Sequence, residues 1–219
     1  MKRTFGKLFV TCAALTLVAG AQGAMAGTDL RVDTVKPSYI LATAAQNNSE
    51  GAKNFIASMG DRGINFLGNQ SMSIDSKKAE FKSLLNESFD MNTIGRFALG
   101  SAWNTATPAQ QQEYMRLFNT MIIKVYSKRF SDYKGQKFEV KSARKENDKD
   151  SVVSSFIIPT SGPQVQVDWR VRNKGGSYKV VDIIVEGVSM SMTQRADFAS
   201  VIQRGGGKID ALLTHLRAQ

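Results

Sequence analysis

The chain has 219 residues, 42% of them apolar and 22% charged, with a formal net charge of +10. That length suits one domain or two small ones, and the balance excludes a disordered chain. A single cysteine, Cys12, excludes a disulfide framework within the chain.

Lys2, Arg3 and Lys7 precede an apolar run of 13 residues, Leu8 to Gly20, and Ala24-Met25-Ala26 supplies a small-residue cleavage site. This three-part pattern predicts a signal peptide over residues 1–26. The run is too short for a bilayer, which takes about 20 apolar residues. Cys12 follows Thr11, with Phe9 three residues before it, so it does not read as a lipidation site. Without the leader's three cations, the remaining 193 residues carry +7 and no cysteine. A basic exported chain points to anionic lipid surfaces or an acidic partner, and export argues against nucleic acid.

Residues 27–48 are polar and weakly patterned, and read as a mobile lead-in, with a short turn of helix near Tyr39-Ile40-Leu41, before one domain over residues 49–219. Ser49 is placed to cap a helix bearing Phe55, Ile56, Met59 and Phe66, which Gly60 and Gly63 weaken. Asp75 or Ser76 starts a second, with Phe81, Leu84, Leu85 and Phe89 at helical spacing. Asp90 caps a third that ends at Gly100. Thr107-Pro108-Ala109-Gln110 is the clearest local signal, a capping box with proline at the first helical position. The helix that follows carries a wide apolar stripe from Tyr114 to Tyr133.

At Gly135 the apolar period changes to two. Phe138 and Val140, Val152 to Ile158, Val165 to Val171 and Tyr178 to Glu186 predict four strands joined by short turns, an antiparallel meander with one buried face. Two amphipathic helices close the chain, one with Phe198, Val201 and Ile202, the other with Ile209, Leu212, Leu213 and Leu216, separated by Gly205-Gly206-Gly207. Helices, then a sheet, then helices define an α+β domain.

The chain is poor in catalytic equipment. His215, its single histidine, sits in the last turn of the last helix and reads as a surface residue complementing the helix dipole. One histidine allows no histidine triad and no multi-histidine metal site. Asp168 and Asp182 leave a two-carboxylate hydrolase open as an alternative. Both read more simply as solvated partners of Arg170, Arg172 or Lys179. Periodicity alone does not separate a filled apolar core from a hollow one.

Three blocks carry a resemblance: Ile94-Gly95-Arg96-Phe97-Ala98-Leu99-Gly100 with Trp103 and Ala106-Thr107-Pro108-Ala109-Gln110-Gln111; Val165 to Arg172; and Tyr178 to Met190. In this order and spacing the stretch Asp75 to Arg217 resembles the MlaC family, also called the toluene-tolerance auxiliary family. The resemblance implies a curved four-stranded antiparallel sheet packed by helices around an apolar lipid cavity. It implies a monomeric periplasmic phospholipid carrier, not an enzyme, with the lipid as ligand and no cofactor or metal. Its partners would be an outer-membrane lipoprotein complex and an inner-membrane ABC transporter complex, with transient membrane-surface contact, in keeping outer-membrane lipid asymmetry. A hopanoid-associated paralogue is the nearest alternative.

The lining expected from the helices is Phe97, Leu99, Trp103, Phe118, Met121, Ile122, Val125 and Tyr126. From the sheet it is Val167, Trp169, Val171, Val181, Ile183, Val185, Val188 and Met190. Arg170, Gln194 and Arg195 are candidates for the phosphate or for docking.

Overall fold

The computed structural model describes residues 38–219, with side chains from Asn48 onward. The leader, Cys12 and the cleavage motif lie outside the described residues. The first helix, α1 (Ser38–Gly68), starts well before Ser49 and takes in part of the expected lead-in. Ser49 is instead mid-helix, with its hydroxyl 3.4 Å from that of Ser151, and Asn173 Nδ2 donates to Asn48 Oδ1 at 2.7 Å. These bonds fasten α1 to the sheet. Its glycines permit the close approach. A Cβ at Gly51 would lie 2.1 Å from the Tyr178 hydroxyl, and one at Gly60 would lie 2.2 Å from the Phe138 ring. The buried Lys77 ammonium donates to Leu67 O at 2.7 Å and closes the carbonyl end of the helix.

Helix α2 (Ile74–Ser88) begins one or two residues earlier than its sequence suggests, because Ser73 is the cap and accepts from Ser76 N at 3.1 Å. Asp90 caps α3 (Met91–Leu99) as expected, and Gly100 ends it. A single turn, α4 (Ala102–Thr105), leads to α5 (Pro108–Ser127), which opens with both bonds of the capping box at Thr107 and Gln110. The apolar stripe does not stay helical to Tyr133. The helix stops at Ser127, and Phe130–Asp132 forms a separate 3-10 turn.

The sheet has order β1-β2-β3-β4-β5, all antiparallel: β1 (Lys137–Lys145), β2 (Asp150–Ile158), β3 (Val165–Lys174), β4 (Ser177–Val185) and β5 (Val188–Ser189). The fifth strand is two residues long and adds to the four expected. The register places Ala143, Val153, Trp169 and Ile183 in one cross-strand row. The neighbouring row of Arg144, Val152, Arg170 and Asp182 faces the other way. Bulges fall between Val140 and Ser142 on β1 and opposite Arg170/Val171 on β4. Each bends its strand, and together they curve the sheet.

Helix α6 (Met190–Arg204) and helix α7 (Ile209–Arg217) follow. The triple glycine makes a sharp reversal between them. Gly206 N donates to Gln203 O and Gly207 N to Ile202 O, the Schellman pair, with Gly206 at φ +76° where a side chain would be strained.

Two apolar cores result. The helical core joins α3, α5, α6 and α7 through Leu99, Tyr114, Leu117, Phe118, Met121, Phe198, Leu212 and Leu213. The layered core joins α1 and α2 to the sheet through Ala52, Ile56, Leu84, Phe130, Val153, Val171 and Val180. Among the described residues no helix is long and apolar enough to cross a membrane.

Candidate functional site

A cavity of about 660 Å³ lies between the two cores. Helix α1 supplies Met59, Gly60, Gly63, Ile64, Phe66 and Leu67, and α2 supplies Phe81, Leu84 and Leu85, with Phe89 just beyond. Helix α3 adds Met91 and Ile94, and α5 adds Phe118, Ile122 and Tyr126 at four-residue spacing. The floor is Phe138, Ile157, Trp169 and Ile183, one side chain from each of the first four strands. Met190, Ser191 and Gln194 close the side where α6 begins.

This volume is not a packing defect. As a sealed void it would cost roughly 16 kcal/mol, at about 24 cal/mol per Å³, which exceeds the total stability of most domains. It also falls within the range of ligand sites, about 300–1,000 Å³. The walls are apolar, and their aromatic rings are pinned. Phe81 meets Phe130 edge-on at 5.4 Å, Phe66 meets Phe130 at 6.0 Å, and Phe138 meets Trp169 at 6.1 Å. The Trp169 indole N–H donates to Ser155 Oγ at 2.9 Å, and Ser155 donates on to Val167 O at 2.8 Å, so the floor leaves neither group unsatisfied.

Polar groups gather at two places. Arg129, Asp132, Tyr133, Gln136 and Lys137 border the cavity along the connection from α5 to β1, and Arg129, Asp132 and Lys137 are exposed, so the cavity reaches solvent there. Asp182, Ser191 and Gln194 border it at the start of α6. Asp182 is buried, contrary to the expectation that it is solvated. Its carboxylate accepts from Ser189 Oγ at 2.6 Å, Ser191 N at 3.1 Å and Ile183 N at 2.9 Å, which fastens the N-terminus of α6 to β4. Asp168 accepts from Gln166 instead of from an arginine. Arg172 pairs in a fork with Asp150, at 2.7 and 2.9 Å. That pair holds the Asp150 carboxyl below the usual carboxylate range.

Of the residues expected to line a cavity, Phe118, Ile122, Tyr126, Trp169, Ile183 and Met190 border it, as does Gln194. The others lie elsewhere. Leu99 and Met121 are inside the helical core, with Trp103 packed at its edge under the Arg96 guanidinium, 5.0 Å from the ring centre. Phe97 is 38% exposed on the surface, its ring 5.1 Å from the Arg195 guanidinium. Val125 is also exposed, one residue round from the cavity-facing line of α5. Val171 fills the layered core, and Val167 and Val181 are buried away from the opening. Val185 and the exposed Val188 sit at the β4–β5 turn. Arg170 lies on the far face of the sheet opposite Asp182, 3.7 Å from Glu146.

The contributions of α1 and α2 were missed. Their signal was present: two glycines three apart on a helix that also carries Phe55, Ile56, Met59 and Phe66, followed by a helix with four large apolar residues on one face. Gly63 has no atom within 4 Å of where its Cβ would stand, so it opens space, whereas Gly60 admits a ring.

Fold and site together define an α+β domain built around an apolar ligand cavity. The family model described as MlaC protein matches residues 58–218, and the chain belongs to that family. It is 29% identical over 105 residues to the toluene tolerance protein ttg2D of Pseudomonas putida, covering 48% of this chain and 49% of that protein. It is 26% identical over 132 residues to the intermembrane phospholipid transport system binding protein MlaC of Haemophilus influenzae, covering 58% and 61%. The chain thus spans half to three fifths of the curated relatives it matches. Among solved structures it is similar to a phospholipid-binding protein from Ralstonia solanacearum in complex with a phospholipid. The TM-score is 0.65 at 25% identity, covering 76% of this chain and 95% of that one.

Proposed function

We propose that this chain is an exported, periplasmic carrier that seats phospholipid acyl chains in the cavity between its two cores. It shields them from water while the lipid passes between an outer-membrane lipoprotein complex and an inner-membrane ABC transporter complex. The observation that carries this reading is the apolar cavity of about 660 Å³ with polar groups only at its ends. Each methylene moved out of water is worth about 0.8 kcal/mol, so a lipid cannot leave a bilayer unaided at a useful rate. A container lowers that barrier without any bond being made or broken. The phospholipid held by the Ralstonia relative supports the same reading. A hydrolase gains no support from Asp182, whose oxygens are occupied in anchoring α6.

Gly63→Phe tests it, because the new ring enters open space on the cavity wall. Ile183→Trp, from the sheet side, is a second filling. The exported protein is purified, extracted with solvent and its lipid identified by mass spectrometry. Wild type should yield phospholipid, and each folded variant several-fold less. A hopanoid in the extract would transfer the reading to the paralogue. Wild type that carries no lipid and takes none from vesicles would overturn it.

A further inference from the structure

The cavity is electrically uneven along its length. Phe118 and Tyr126 on α5 mark its extent, since eight helical residues rise about 12 Å. At the end where α6 begins, the lining residues Asp182, Met190, Ser191 and Gln194 include no cation. Beyond Tyr126, the connection to β1 brings Arg129 and Lys137 to the rim against a single carboxylate, Asp132.

Among the described residues, Arg129 and Lys137 make no ion pair within 4.0 Å. Glu139, the acid nearest Lys137 in sequence, is paired with Lys141. Lys128 and Lys134 flank the rim and are exposed, adding positive potential. The loop that presents these groups is braced. Gln136 accepts from Lys134 N at 2.7 Å and donates to Asp132 O at 3.2 Å, and Gly135 takes a left-handed φ of +86° that closes the turn.

We propose that this rim is the headgroup seat: Arg129 and Lys137 hold the lipid phosphodiester, and the seat favours a phospholipid of net negative charge over a zwitterionic one. The proposal rests on the phospholipid reading above. The α6 end offers a phosphate no cation among its lining residues, so the lipid enters tails first with its phosphate left at the rim. A choline headgroup brings its own cation into the field of Arg129 and Lys137, whereas a glycerol headgroup does not.

The test uses vesicles of equal parts phosphatidylglycerol and phosphatidylcholine. The delipidated protein is incubated with them, re-isolated, and its two lipids counted by mass spectrometry. At low salt, wild type should hold about three- to fivefold more phosphatidylglycerol, the size of one exposed ion pair. High salt should erase the excess. Arg129→Gln/Lys137→Gln should bring the ratio of the two lipids it loads to that of the vesicle. Lys149→Gln/Lys208→Gln removes the same charge from exposed sites outside the cavity lining and should keep the preference. Wild type loading both lipids in vesicle proportion overturns the seat and leaves the carrier reading standing. So does equal loss of preference in both double variants. Failure of wild type to load either lipid overturns both.

Discussion

The helical core and the layered core are made of the same kinds of residue and behave differently. In the helical core, Tyr114, Phe118 and Phe198 form a closed aromatic trio with centroids 5.7 to 6.2 Å apart. The Tyr114 hydroxyl, buried and held protonated by that burial, donates to Gly95 O at 2.8 Å. Between this core and the sheet, rings of equal size stand round a space. Helix α5 belongs to both: Tyr114, Leu117 and Met121 face the packed side, Ile122 and Tyr126 face the hollow one, and Phe118 stands at the boundary between them. Large apolar side chains close a core only when the opposing surface follows them. On the hollow side α1 presents Gly63, with nothing within 4 Å of its missing Cβ, where a filled layer would have a larger side chain.

This contrast can be broken by truncation. Leu213→Ala, in the packed core at 1% exposure, should cost about 3 kcal/mol in urea unfolding. Ile122→Ala, on the cavity wall, should cost less than about 1 kcal/mol, because half its surroundings are already missing. Equal costs would mean that the layer is as solid as the core. Tyr114→Phe should follow at about 1 kcal/mol, the worth of one buried hydrogen bond, with no change in lipid content. A change in lipid content would show that the two regions are not separable.

The smallest expected effect lies where the regions join. Asp90 N–H donates to Val180 O at 2.9 Å, and the Asp90 carboxylate pairs with Lys174 at 2.6 Å while capping α3. Burial pushes this carboxyl up, but the Lys174 and Thr93 bonds outweigh it and lower it from 3.8 to about 2. The folded protein therefore binds this proton only at lower pH than the unfolded chain. Its contribution is full above the ordinary carboxylate range and fades as pH falls towards 2. Asp90→Asn should flatten the fall of Tm over that acid interval and leave the neutral plateau nearly as flat as before. An unaltered acid slope would detach Asp90 from the join.

Much of the fold was legible. The capping box at Thr107, the Asp90 cap, the period change at Gly135 and the triple-glycine break each have a local cause that a sequence states directly. What failed is also physical. The first helix starts at Ser38 within a polar stretch that carries little apolar period. The end of α5 was read too late because Phe130 and Tyr133 continue the apolar spacing after the backbone has turned. The site was half legible. Phe118, Ile122, Tyr126, Trp169 and Ile183 could be chosen from stripes. A stripe does not say which of its two flanks meets empty space, so Met121 and Val125 were chosen with them. Asp182 was misjudged because a strand pattern gave it a solvent face, while α6 folds back over it.

The bulge near Lys141 has a consequence for solubility. Among the described residues strand β1 ends the sheet and so carries a row of amides and carbonyls without a neighbouring strand. A straight row of that kind invites a second polypeptide to add on, the first step towards fibres. Here the row is kinked between Val140 and Ser142, and lysines stand at 137, 141 and 145 along it. A molecule that keeps greasy space in its middle is thereby denied a flat margin on which copies of itself could stack.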